Sequence, residues 1–171
     1  IFDLFVVNVA IPSMQTMLSA SFAQINFIIV AYELAYGVLL IAGSRLGDRH
    51  GRRRLFMLGM AGFALASALC GLAPDANTLI GARVLQGVAA AMLFPQVYAL
   101  IRVSYDGHAR RRAFGLLGMT LGLAAIAGQV LGGWIVHADL FGLAWRTIFL
   151  VNVPLGVLAW RLARHIPESR D

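Results

Sequence analysis

The sequence predicts an all-α polytopic membrane protein with six transmembrane helices, and three observations carry that prediction. Hydrophobic residues make up 60% of the chain and charged residues 13%, with a mean hydropathy of +0.78. A soluble domain carries about 25% charge. Charge-free runs cover residues 4–31, 55–74, 84–101, 113–138 and 147–160, and about 20 helical residues cross about 30 Å of hydrocarbon. The basic residues gather in alternate links between the apolar spans. No ten-residue alternation of the kind a transmembrane barrel needs runs through the chain.

The first span starts at or before Ile1 and ends near Leu18. It has neither the basic leader nor the small-residue cleavage site of a signal peptide. A chain opening on Ile inside an apolar run is expected to be a fragment, its first helix truncated at the start. A polar link at 19–24 leads to the second span at 25–44, and the third covers 55–73. A Pro74-Asp75-Ala76-Asn77 turn precedes the fourth at 78–101; the fifth covers 113–136 and the sixth 144–160. Pro12, Pro95 and Pro154 fall inside spans. Each frees the carbonyl four residues earlier, on Asn8, Ala91 and Leu150, and predicts a kink there.

All 14 basic residues are arginine. The link after the second span holds Arg45, Arg49, Arg52, Arg53 and Arg54; the link after the fourth holds Arg102, Arg110, Arg111 and Arg112; and Arg161, Arg164 and Arg170 follow the sixth. The opposite links hold Arg146 alone. Twelve against one is a positive-inside bias, which places the basic links in the cytoplasm. The expected location is the inner or plasma membrane of a bacterial cell. The pI near 10.7 then reflects topology, and the arginines lack the interleaved aromatics of a nucleic-acid surface. Asp48 to Arg54 is echoed by Asp106 to Arg112, 58 positions later, as two basic turns of similar build.

Nothing in the chain assembles a catalytic site. Cys70 is the single cysteine, and His50, His108, His137 and His165 share no ligand spacing. No nucleophile–base pair, phosphate loop or metal cluster can be built from these residues, so neither an enzyme nor a bound metal or cofactor is expected.

Charges inside spans are the informative residues, because each costs about 2.5–3.5 kcal/mol at mid-span and so faces a cavity or partner. Asp3, Glu33 and Arg83 qualify. Glu33 lies near mid-depth, on a stripe with Gly37, Leu40 and Ser44 expected to face the bundle. Desolvation there disfavours the carboxylate, which suits Glu33 to taking up and releasing a proton. Arg83 shares a face with Gln86, Gly87 and Ala90, leaving room for its guanidinium to reach a partner. Asp3 precedes Asn8 and Pro12 on the first helix. The fifth span carries Gly115, Gly118, Gly122, Ala125, Gln129, Gly132 and Gly133 along one stripe, a face that admits close helix approach.

These residues also carry a resemblance. Residues 44–53, Ser-Arg-Leu-Gly-Asp-Arg-His-Gly-Arg-Arg, resemble the loop signature G-x-L-x-D-R-x-G-R-R of the major facilitator superfamily, with Ser44 in place of the first glycine. Residues 79–87, Leu-Ile-Gly-Ala-Arg-Val-Leu-Gln-Gly, resemble that superfamily's helix-four motif. Gly128-Gln129-Val130-Leu131-Gly132-Gly133 resembles the helix-five antiporter motif G-P-x-x-G-G, with Gln129 at the proline. Residues 3–12 and 145–154 are similar to stretches of helices one and six in the drug-exporter branch. The chain is therefore similar to the N-terminal half of a fourteen-helix multidrug:proton antiporter, a six-helix bundle with a 3+3 inverted repeat spanning residues 1–171.

The resemblance implies efflux of drugs or other small, largely apolar organic compounds by alternating access, driven by a proton gradient. A metabolite or sugar importer of the same superfamily is the neighbouring alternative, and a non-transporting sensor or scaffold the more distant one. It further implies Asp3 and Glu33 as proton carriers, with Arg83 and Gln86 in the proton-coupling or substrate cavity. Gly47, Asp48, Arg49, Gly51, Arg52 and Arg53 would form a gate, with Gly47 and Gly51 turning the backbone and Asp48 facing a helix N-terminus of the opposite half. The partners so implied are a small-molecule substrate, protons, the lipid bilayer and a C-terminal half, with no nucleic acid.

Overall fold

The computed structural model describes residues 2–139 and 142–165, and the side chains from Phe5 onward within them. Among the described residues the chain forms seven helices. They are α1 (Phe2–Leu18), α2 (Phe22–His50), α3 (Arg52–Leu72), α4 (Ala76–Ser104), α5 (Gly107–Ala138), α6 (Arg146–Leu150) and α7 (Asn152–Ala163). Five helical stretches are long and apolar enough to cross a membrane, α6 and α7 counting as one, and the shorter apolar helix of the first span precedes them. In hydrocarbon a helix satisfies its own backbone groups, which is why apolar runs of this length fold this way. Together they make a multi-pass membrane protein.

The ends of the helices follow local chemistry. Ser21 caps α2 in a reciprocal box with Gln24: the Gln24 N–H donates to Ser21 Oγ at 3.2 Å, and the Ser21 N–H donates to Gln24 Oε1 at 3.0 Å. Asp75 caps α4, accepting from the Thr78 N–H and hydroxyl, both at 2.9 Å. Those two bonds hold the Asp75 carboxyl below its ordinary range. Gln24 Nε2 donates to Asn77 Oδ1 at 3.1 Å and so ties these two turns together. Arg146, the isolated arginine of this end, donates to the carbonyls of Gly71 (3.0 Å) and Ala73 (2.6 Å). It thereby satisfies acceptors that the end of α3 leaves open.

The most extensive packings are α2 against α4 and α3 against α4, followed by α3 against the sixth span and α1 against α5. Exchanging the first, second and third spans with the fourth, fifth and sixth maps the α2–α4 pair onto α1–α5 and the pair of α3 with the sixth span onto itself, as a 3+3 inverted repeat requires. The image of the α3–α4 contact, α1 against α6, is much the smaller of the two. A core of Val6, Val7, Ala10 and Met14 meets Ile25, Ile28, Leu79 and the aromatic pair Trp145 and Phe149 at the end remote from the basic turns.

Three expectations change. The basic signature is largely not a loop: α2 runs unbroken through residues 45–50, and Gly51, at φ 106°, is the single break before α3. Gly51 alone needs the conformational freedom of glycine at that break. Gly47 is helical, and its missing side chain serves close approach instead. The sixth span is interrupted at Val151, three residues before Pro154, where proline fits the first turn of α7 better than a helix interior. Pro12 and Pro95 do lie inside α1 and α4.

Candidate functional site

Among the described residues, two polar regions bear on function. The first surrounds Arg83, which α4 carries toward α2 and which is 1% exposed. Its Nε donates to the Ile28 carbonyl at 3.1 Å and one terminal nitrogen donates to Gln86 Oε1 at 2.8 Å. The guanidinium lies 4.3 Å from the Tyr32 ring centroid and 5.7 Å from that of Phe149. Gln86 is held in turn: its Nε2 donates to Ser67 Oγ at 2.8 Å, and the Cys70 thiol donates to its Oε1 at 3.5 Å. The cost of a charge at this depth, about 2.5–3.5 kcal/mol, is offset by charge-assisted bonds of about 1.5–3 kcal/mol each. A desolvated cation–π contact adds about 2 kcal/mol.

Gly87, next to Gln86, lets the helices close here, since a Cβ on it would meet the Tyr32 carbonyl oxygen at 2.5 Å. The result is a buried, hydrogen-bonded network around one guanidinium that joins α2, α3 and α4. Glu33 follows Tyr32 directly but points elsewhere. It is exposed, and among the described residues it has no hydrogen-bond or ion-pair partner. Its expected stripe is displaced: the α2 face buried against α4 is Ile28, Tyr32, Gly43 and Gly47. Glu33, Gly37 and Ser44 lie one residue round the helix on an uncovered face, because successive residues are turned by about 100°. The Asp3 side chain lies outside the described residues.

The second region lies at the basic end. Asp48 Oδ1 accepts from Arg52 Nε at 3.1 Å and from a terminal nitrogen at 2.9 Å, across the Gly51 break. Gln96, 1% exposed, donates Nε2 to the Gly43 carbonyl at 2.9 Å. Gly47 leaves the space that this amide occupies, since a Cβ there would overlap it. A cavity of about 780 Å³ opens beside the pair, lined by Ser44, Asp48, Arg52, Pro95, Tyr98, Arg102 and Phe114. A second cavity, of about 430 Å³, shares Ser44, Pro95 and Tyr98 and continues past Leu40 to Tyr36. The echo segment repeats the local device, with Arg110 donating to Asp106 at 2.7 Å around Gly107.

The structure thus joins Arg83 with Gln86, and Asp48 with Arg52, but separates Arg83 from Glu33. Arg49 is exposed, while Arg53 is partly buried. The helix-five motif divides: Gly128 and Gly132 are buried, and a Cβ on Gly132 would overlap Val6 of α1. Gln129 is exposed and has no hydrogen-bond partner among the described residues, so it supplies no bond within this bundle. The stripe does not continue as one packed face, because nothing lies within 4 Å of a Cβ built on Gly115, Gly118 or Gly122.

Sequence reasoning missed Tyr32, Ser67, Gly43 and Gln96. Gln96 carried the one usable signal, an amide buried in a charge-free span; the others are residue types that packing alone accounts for.

The family pattern described as Major Facilitator Superfamily matches residues 1–171. The chain is 44% identical over 152 residues to the protein named Probable actinorhodin transporter of Streptomyces coelicolor, covering 89% of this chain and 26% of that relative. It is 43% identical over 166 residues to a puromycin resistance protein of Streptomyces alboniger, covering 96% and 32%. It is 36% identical over 157 residues to the tetracenomycin C resistance and export protein of Streptomyces glaucescens, covering 92% and 28%. The chain spans between about a quarter and a third of the length of these curated relatives.

Proposed function

The chain belongs to the Major Facilitator Superfamily, and on that premise we propose that it is the N-terminal six-helix half of a proton-coupled exporter of small, largely apolar organic compounds. The observation that carries the reading is the desolvated Arg83 guanidinium, locked by Ile28, Gln86 and the Tyr32 face, with a carboxyl, Glu33, on the residue after that tyrosine. A membrane scaffold does not need such a charge, whose place within a span costs free energy. Relatives named for actinorhodin transport, puromycin resistance and tetracenomycin C export support antibiotic-like cargo.

In this mechanism the two halves rock about a midplane cavity, exposing it to one side and then the other. A proton taken up at Glu33, and at Asp3, neutralises a carboxylate and favours the state that releases cargo outward. Arg83 contributes a fixed positive charge within the same bundle, held by Ile28, Gln86 and the Tyr32 face. Proton and cargo drive the cycle only through their different affinities for the two states. The exposed α2 face bearing Glu33 and Gly37, and the open glycine face of α5, are where the C-terminal half seats. The Asp48–Arg52 pair stands at the basic, cytoplasmic end as half of a gate, and the membrane is the bacterial inner membrane.

Proton-driven efflux by the full-length protein in energised vesicles tests this. Glu33→Gln and Asp3→Asn are expected to uncouple export from the proton gradient. Undiminished antiport by both variants would remove these carboxyls as carriers.

A further inference from the structure

The flank formed by α3 and α7 carries a groove separate from the Arg83 network and the basic-end cavity. Ala61, Ala64 and Ala68 of α3 line one wall, Gly156 of α7 the other, and Trp160 closes the end nearest the arginines. The groove arises because Gly156 lets α7 approach Ala64, where a Cβ would stand 2.9 Å from the alanine methyl, while the small side chains on either side leave space. Its volume is about 280 Å³ and its lining is apolar throughout. Pockets for drug-sized molecules run from about 300 to 1,000 Å³, so this one suits a single narrow chain. From Val153 to Trp160 a helix rises about 10 Å, which lies within one leaflet of an about 30 Å hydrocarbon core.

The groove ends on a cation. The Arg164 guanidinium lies over the Trp160 ring at 3.9 Å from its centroid, and Arg161 and Arg164 are both exposed. Trp160 is therefore at once the end wall of an apolar groove and the platform that holds a guanidinium at its mouth. Tryptophan and arginine sit at the headgroup level of a bilayer, and a guanidinium fits a phosphate with paired donors.

We infer that this groove binds an anionic phospholipid, with one acyl chain along residues 61–68 and the phosphate at Arg164. The shape selects a chain, and the charge selects an acidic head. The site is independent of what the protein exports.

The test uses the full-length protein in detergent with phosphatidylglycerol carrying dibrominated acyl chains, against phosphatidylcholine with the same chains. Bromine quenches indole fluorescence on contact, and Trp160→Phe identifies the part of the signal that Trp160 supplies. That part is expected to be quenched at several-fold lower mole fraction by the anionic lipid. Arg164→Gln should bring the anionic lipid to the level of the neutral one. Ala61→Leu and Ala68→Leu, at partly exposed positions, should weaken quenching by both, and millimolar inorganic phosphate should leave it unchanged. Equal quenching by the two lipids with no effect of Arg164→Gln would mean ordinary surrounding lipid and overturn the inference. Displacement by inorganic phosphate, with the leucine variants unaffected, would mean a simple anion site and overturn it equally.

Discussion

The Ala91 carbonyl lies against Gly43 so closely that a Cβ on the glycine would overlap its oxygen. Pro95, four residues on, has no N–H to offer that carbonyl, so the α4 backbone group left open by the proline is covered by the Cα of α2. The exchange is mutual, because Gln96 Nε2 donates to the Gly43 carbonyl at 2.9 Å. One helical turn further along, Gly47 leaves room for the same amide. This junction holds the helix that carries Asp48 against the helix that carries Arg83.

Gly47→Ala is therefore expected to destabilise the protein by about 1–3 kcal/mol through overpacking, read as thermal unfolding of the full-length protein in detergent. Gln96→Ala removes the obstructed amide. Combined with Gly47→Ala it should restore part of that loss, with a coupling of about 0.5–3 kcal/mol. Strict additivity of the two changes would contradict the observed contact.

Asp48→Asn separates gate from fold. The Asp48 side chain is 43% exposed and that of Arg52 9%, and asparagine keeps a carbonyl oxygen in the place where Asp48 Oδ1 accepts from Arg52. Unfolding temperature and membrane insertion should hardly change, while efflux in whole cells falls. Normal efflux by Asp48→Asn would defeat the gate proposal.

Arg83→Lys keeps the charge but loses the planar donor set that reaches Ile28 and Gln86 while lying over Tyr32. One charge-assisted bond lost corresponds to about 1.5–3 kcal/mol. The variant should insert yet unfold at lower temperature and export poorly. Wild-type stability and transport would show that the charge alone suffices.

Asp75 makes the stability depend on pH at the acid end. Its folded-state carboxyl is held below the ordinary value by the Thr78 N–H and hydroxyl. A depressed folded value means that the carboxylate stabilises the fold above the unfolded-state value, and that this contribution is lost as pH falls through the folded one. The gap in unfolding temperature between wild type and Asp75→Ala should be constant from neutral pH down to the ordinary carboxylate range, then narrow at lower pH. A gap independent of pH would rule out the cap as its source.

Much of this architecture was legible because hydrocarbon imposes a coarse code. Span length and the arginine distribution are read residue by residue, so six spans and their alternation follow without any knowledge of packing. Arg83 and Gln86 were legible for a related reason: polar groups within an apolar span need partners, and here they have each other. Glu33 was legible as a residue but not as a direction. One position round a helix separates its uncovered face from the Tyr32 face that meets Arg83, and helical periodicity does not say which face a neighbour will take when both are apolar.

By itself, the sequence determined the all-α membrane class, the number of spans, the basic end and the identity of the buried charge, because each depends on local composition against a fixed solvent thickness. Tertiary structure alone decided that the basic signature is mostly helix, that Gly43 and Gly47 serve contact with Ala91 and Gln96, and that the sixth span breaks at Val151. The two glycine contacts depend on atoms 48 or more residues apart meeting within a few ångströms. A glycine looks the same in sequence whether it turns a chain or lets another helix approach.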